Sequence, residues 1–182
     1  TGVRQVLAIG PSNPPYPRAF GQWRDDSQGG HFERVEMSFE EVMQKAEEAI
    51  ALTHHSHNDL IEAFIAPFVM VTSVQPSGPT PADLAVKLTD HDKKMMKAVR
   101  EIAKRQKTRI HTEAFGGMIR MAAQSEDALL GPDVHVQHCK GIGIDEALIL
   151  AETHTNVTTS PGWSQIFNRC PVPMLMGLGV NV

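Results

Sequence analysis

Thr108-Arg109-Ile110-His111-Thr112-Glu113 and Val134-His135-Val136-Gln137-His138-Cys139 decide the fold. Each is a short strand-like run set between longer amphipathic segments, the alternation of parallel strands with crossing helices. Residues two apart on a strand share a face, so His111 and Glu113 point the same way. His135 and His138 are three apart, which predicts opposite faces and no chelating pair. Cys139, beside His138, then faces the other way and is buried. In parallel α/β proteins the reactive edge is the C-terminal end of the strands. With strands read at 108–113 and 134–137, His111 and His138 both fall at that edge. Adjacent strands lie about 5 Å apart, so two such imidazoles can converge on one ion.

The alternation continues on both sides. Upstream, 3–9 is a strand, and 10–32 a long Gly/Pro/Asn-rich loop of the kind that covers a site. Ser38-Phe39-Glu40-Glu41 is a capping box that opens a helix ending near His54. A strand follows at 61–70, with Pro67 ending its pairing, and then a Pro/Gly/Ser loop at 74–81. Thr89 or Asp90 caps a helix running to Gln106. Downstream of Glu113, Gly116 and Gly117 mark the exit into a helix at 118–124. Asp145 starts another helix after His138, 156–158 is a short strand, 173–178 a helix, and 180–182 the start of a last strand. About six parallel strands with flanking helices result. An open doubly wound sheet and a piece of a (β/α)8 TIM-type barrel both fit this order. No Gly-rich phosphate fingerprint follows any strand, which speaks against nucleotide binding.

The 182 residues make one domain or part of one, 41% hydrophobic and 21% charged, as in soluble globular proteins. A formal net charge of -4 with scattered basic residues points to neither nucleic acid nor a membrane surface. No apolar stretch is long enough to span a bilayer, and Thr1 to Leu7 has no signal-peptide pattern but reads as a strand already in progress. Two cysteines, Cys139 and Cys170, make no disulfide framework, in keeping with a cytoplasmic protein.

Nine histidines prompt a search for a metal centre. His54-His55-Ser56-His57 has a metal-like composition but reads as a solvated loop after a helix. His91 and His154 read as helix-end residues. Trp23 and Trp163 lie in loops and fit either a pocket wall or core packing.

The order of these segments resembles the amidohydrolase superfamily, within its cytosine-deaminase-like and chlorohydrolase-like metal-dependent hydrolases. The resemblance rests on Arg109 to Glu113, on Val136-Gln137-His138-Cys139 with Asp145-Glu146-Ala147, and on Leu150 to Val157. Val3 to Gly10 is similar to that family's third strand and Pro173 to Val182 to the approach to its eighth. The resemblance implies a partial barrel over 1–182, lacking the first two strands and the end of the barrel. It implies His111 as the fifth-strand metal ligand, and His138 as a sixth-strand histidine that binds metal or orients substrate. Glu113 would move protons. The implied cofactor is a divalent metal, zinc before iron, or none if the barrel is truncated. Several departures stand against a complete centre. The first-strand His-x-His pair and the eighth-strand Asp are absent, the fifth-strand Glu sits two rather than three residues after His111, Phe68 follows Ala66-Pro67, and Thr158-Thr159-Ser160-Pro161 has no histidine.

The resemblance thus implies a hydrolase acting on a C–N or related bond of a small molecule. Two other readings stand beside it. One is a metal-free barrel segment that binds a ligand or partner. The other is a site reused for lyase, isomerase or cyclase chemistry, with Glu113 and His138 as acid and base. An open arc of strands leaves edges and an apolar interior uncovered, so a second copy or a complementary barrel segment is expected to cover them.

Overall fold

The two long helices start where local chemistry says they must. Ser38 accepts a hydrogen bond from the backbone N–H of Glu41 at 3.2 Å, and its own N–H donates to the Glu41 carboxylate at 2.8 Å. This capping box opens α1, Phe39–Thr53, which buries Met43, Ala46 and Ile50. Thr89 and Asp92 repeat the device at the start of α3, Asp90–Gln106. The buried Asp92 also accepts from the Thr72 backbone at 2.8 Å. Burial alone would raise its carboxyl pKa, but the hydrogen bonds from Thr89 and Thr72 outweigh it and hold the group below its ordinary value.

The computed structural model describes residues 2–11, 17–20, 33–72, 87–159 and 170–182, with the backbone alone at 17–20 and 33–36. Most of the 10–32 loop, the whole of the 74–81 loop, Trp23, Trp163 and Ser160-Pro161 lie outside the described residues. Five strands form one parallel sheet: β1 (Gln5–Ile9), β4 (Ile61–Ile65), β5 (Ile110–Phe115), β6 (Val134–Lys140) and β7 (Asn156–Thr158), in the order β1-β4-β5-β6-β7. The remaining helices are α2 (Ser56–Asp59), α4 (Met118–Ala122), α5 (Ile144–Glu152) and α6 (Val172–Gly177).

Two features differ from the expected six parallel strands. Residues 180–182 form no strand, though the carbonyl of Asn181 accepts from the N–H of Val157 at 2.8 Å and so lies alongside β7. An antiparallel ribbon pairs β2 (Pro17–Phe20), inside the region read as loop, with β3 (Glu33–Glu36), just after it. The strand expected over 61–70 stops at Ile65, ahead of Pro67, and resumes only as a bridge from Val69 to Glu113.

Burial separates a piece of a barrel from a doubly wound sheet. On β5 the pattern alternates strictly: Ile110, Thr112 and Ala114 are buried, while His111, Glu113 and Phe115 are partly exposed. Val134 and Val136 continue the buried face on β6. A single buried cluster joins these residues to helices α1, α3, α4, α5 and α6. A doubly wound sheet buries both faces under helices. Here one face is helix-covered and the other is an inner face lined by the alternate side chains, as in a barrel wall. At the edge, β1 leaves Val6 at 55% and Leu7 at 38% exposure.

The connection from α1 to β4 is a left-handed turn. His55, His57, Asn58 and Asp59 all have φ between 55° and 60°. The histidine cluster read as a solvated loop is exposed at His55 and His57, and both take left-handed backbone. Its first member, His54, is tied down, because its Nδ1 accepts from the backbone of Ala63 at 3.1 Å. Left-handed backbone costs a residue with a Cβ about 1–2 kcal/mol, and glycine returns part of this as chain entropy. His57→Gly is therefore expected to stabilise the protein by roughly 0.5–1 kcal/mol, seen as a higher urea midpoint with an unchanged slope.

Candidate active site on the inner face of the sheet

The strand register sets the side chains of the inner face in ranks. β5 and β6 pair as His111 with His135, Glu113 with Gln137 and Ala114 with His138. In the lowest rank Phe64 of β4 packs on the His135 ring, with centroids 5.4 Å apart. Above it, His111 Nε2 meets Gln137 Oε1 at 3.1 Å. Nearest the C-terminal ends, His138 Nε2 lies 3.4 Å from Glu113 Oε1, the two side chains being 17% and 23% exposed. Phe115 flanks the His138 ring at 5.9 Å.

A β-bulge makes the top rank. The pairing steps from Ala114–His138 to Phe115–Lys140, so Cys139 is the extra residue. His138 and Cys139 take φ of 73° and 46°, the left-handed region that L-residues avoid. Cys139 turns into the core, where burial pushes its thiol pKa far up, so it supplies no nucleophile. Gln137 and His138, although neighbours, both reach the inner face. The expectation that His138 faces away from His135 is thereby corrected, because period-two counting fails across a bulge.

His111 also sits differently from expectation. β5 begins at Ile110 rather than Thr108, so His111 is its second residue and not its end. His138 is three residues further along in register, roughly 10 Å along the strand. The structure thus brings Glu113 to His138 and His111 to Gln137. His91 is not the cap of its helix, a role Thr89 takes; its ring meets Phe39 edge-on at 5.8 Å.

Two backbone devices hold the strand ends together. A Cβ on Gly116 would collide with the carbonyl of Gly141, so glycine is required where β5 and β6 leave the sheet. The second is Glu146, on α5 and 2% exposed. Its carboxylate accepts from the backbone N–H groups of Gly117, Ile119 and Arg120 at 2.9–3.2 Å. It ties the exit of β5 to the helix that follows β6.

Among the described residues, three buried polar atoms on these strands have no hydrogen-bond partner: His135 Nε2, His138 Nδ1 and Thr112 Oγ1. Burial, then the electrostatic influence of Arg109 and His111, lowers the pKa of His135. An uncharged Nδ1 lone pair is the less costly orphan at His138, so the ring proton belongs on Nε2, directed at Glu113.

A resident divalent metal was expected on His111 and His138. Zinc takes at least three protein ligands. Among the described residues no group of three or more His, Cys, Asp or Glu side chains could hold a metal. The described donors alone do not fit a metal centre.

No protein-family model matches the sequence, and no curated protein does. Solved structures are similar to it. An amidohydrolase from a Sargasso Sea environmental sample matches with a TM-score of 0.58 and 19% identity, over 89% of this chain and 34% of its own. A double variant of triazine hydrolase matches with a TM-score of 0.63 and 12% identity, over 98% of this chain and 36% of its own. Atrazine chlorohydrolase from Arthrobacter aurescens, solved with zinc, matches with a TM-score of 0.61 and 14% identity, over 98% and 37%. These likenesses show the fold alone, an α/β arrangement around one parallel sheet that matches part of each of these structures. The chain spans about a third of the length of the structures it matches. No described helix is long and apolar enough to cross a membrane.

Proposed function

We propose that the protein is a hydrolase of amidohydrolase type, acting on a C–N or related bond of a small molecule. The observation that carries this reading is the Glu113–His138 pair at 3.4 Å on the inner face, at the reactive edge of a parallel sheet. Glu113 takes a proton from the attacking water as the C–O bond forms. It then returns the proton to the leaving nitrogen as the C–N bond breaks. His138 Nε2–H offsets the carboxylate and polarises the scissile group. The hydrolases of similar fold, one of them solved with zinc, support the reaction class. A divalent metal, zinc before iron, enters the proposal with His111 and His138 as ligands only if further ligands come from beyond the described residues. No step above passes through it. The exposed β1 edge supports a partner strand, from a second copy or a complementary barrel segment.

The protein in its native assembly should be assayed against amides and against amino- and chloro-substituted nitrogen heterocycles, with its metal content measured. Hydrolysis of at least one of these substrates, lost in Glu113→Gln, is expected; stoichiometric zinc or iron, released in His111→Ala, would show that ligands from beyond the described residues complete a centre. The lack of three clustered donors favours a second reading, in which Glu113 and His138 perform metal-free lyase, isomerase or cyclase chemistry. A protein that hydrolyses none of these substrates but catalyses an elimination, isomerisation or cyclisation that chelators leave intact would establish that reading and end the first.

A further inference from the structure

We infer that Gln137 is a positioning residue that fixes which nitrogen His111 presents to the site. The inference deepens the proposed function, since His111 is a member of that site.

In sequence Gln137 is an unremarked polar residue between two more suggestive ones. The register gives it a place: it lies opposite Glu113, two residues beyond the partner of His111, on the same face. That diagonal spacing is within reach of a long side chain. Gln137 Oε1 lies 3.1 Å from His111 Nε2. A carbonyl oxygen only accepts, so the contact places the ring proton of His111 on Nε2. The lone pair is then on Nδ1, which becomes the nitrogen available to a cation or to a proton donor. An imidazole's tautomer is commonly set by the hydrogen bond its other nitrogen makes. Without Gln137, nothing else described on the inner face accepts from His111 Nε2, and the ring is released to turn.

The test is nuclear magnetic resonance of the histidine rings in nitrogen-15-labelled full-length protein, with His111→Asn used to assign the signal. The wild type is expected to carry the His111 proton on Nε2, in slow exchange with water. Gln137→Met keeps length and volume without an acceptor, and should speed that exchange about tenfold. Gln137→Glu restores an acceptor oxygen and should return exchange to the wild-type range. Backbone amide dispersion reports whether each variant is folded, so loss of fold is not mistaken for loss of the contact. A His111 proton on Nδ1 in the wild type would overturn the inference, as would Nε2–H exchange unchanged in folded Gln137→Met. Neither readout needs catalysis, so an inactive protein would refute the proposed function and leave this result standing.

Discussion

Glu113→Gln is expected to lower turnover by about 10²–10⁴-fold while leaving the protein folded. The amide keeps the shape of the side chain but cannot take up the proton that the carboxylate accepts from water. Glu113 is partly exposed, and its backbone is held without its side chain: the N–H of Met70, beyond the end of β4, donates to its carbonyl at 2.9 Å. Stability should therefore change by less than about 1 kcal/mol, the ordinary range for a half-exposed polar substitution. Thermal melting and steady-state kinetics on the same preparation separate the two effects. Loss of turnover with an unchanged melt assigns Glu113 to the chemistry. Turnover within a few-fold of wild type removes it.

Glu146→Ala is the substitution expected to cost most in stability, about 3–5 kcal/mol. It leaves the amides of Gly117, Ile119 and Arg120 without their acceptor in a buried place. Each unsatisfied buried donor costs roughly 1–3 kcal/mol, and the lost carboxylate volume adds to that. Glu146→Gln retains one accepting oxygen and should cost less than half as much. Because Glu146 connects the exit of β5 to α5, its loss should also loosen the spacing between Glu113 and His138. Urea unfolding measures the first effect, and a loss within 1 kcal/mol of zero would contradict it.

How far the sequence could be read follows from the range of the interactions involved. Ser38 with Glu41, and Thr89 with Asp92, lie three residues apart and are governed by backbone geometry that any helix start shares. The first was legible without the fold; at the second the sequence left the cap between Thr89 and Asp90, and the structure assigns it to Thr89 with Asp92 as partner. The strand–helix alternation was legible too, because burial imposes its period on the residues. What one strand's pattern does not contain is its partner's register. His111 was placed at a strand end because β5 was started two residues early, and only pairing with β6 fixes that. The bulge at His138 and Cys139 was hidden for a related reason. Counting by twos assumes an unbroken ladder, and His138 carries no glycine-like signal for a positive φ. Gln137 was missed in consequence, since its partner is visible only once the register is known. The first strand of the β2–β3 ribbon lay in a stretch whose Gly and Pro content reads as loop. The choice between an open sheet and a barrel wall needed burial on both faces, which composition does not give.

A double-mutant cycle in kcat/KM between Glu113→Gln and His138→Asn tests the central claim most directly, because asparagine tolerates the left-handed backbone that His138 adopts. If the two side chains work as one unit on the inner face, the double variant loses scarcely more activity than the worse single variant. Losses that simply multiply would mean that carboxylate and imidazole act independently, and the site described here would not exist.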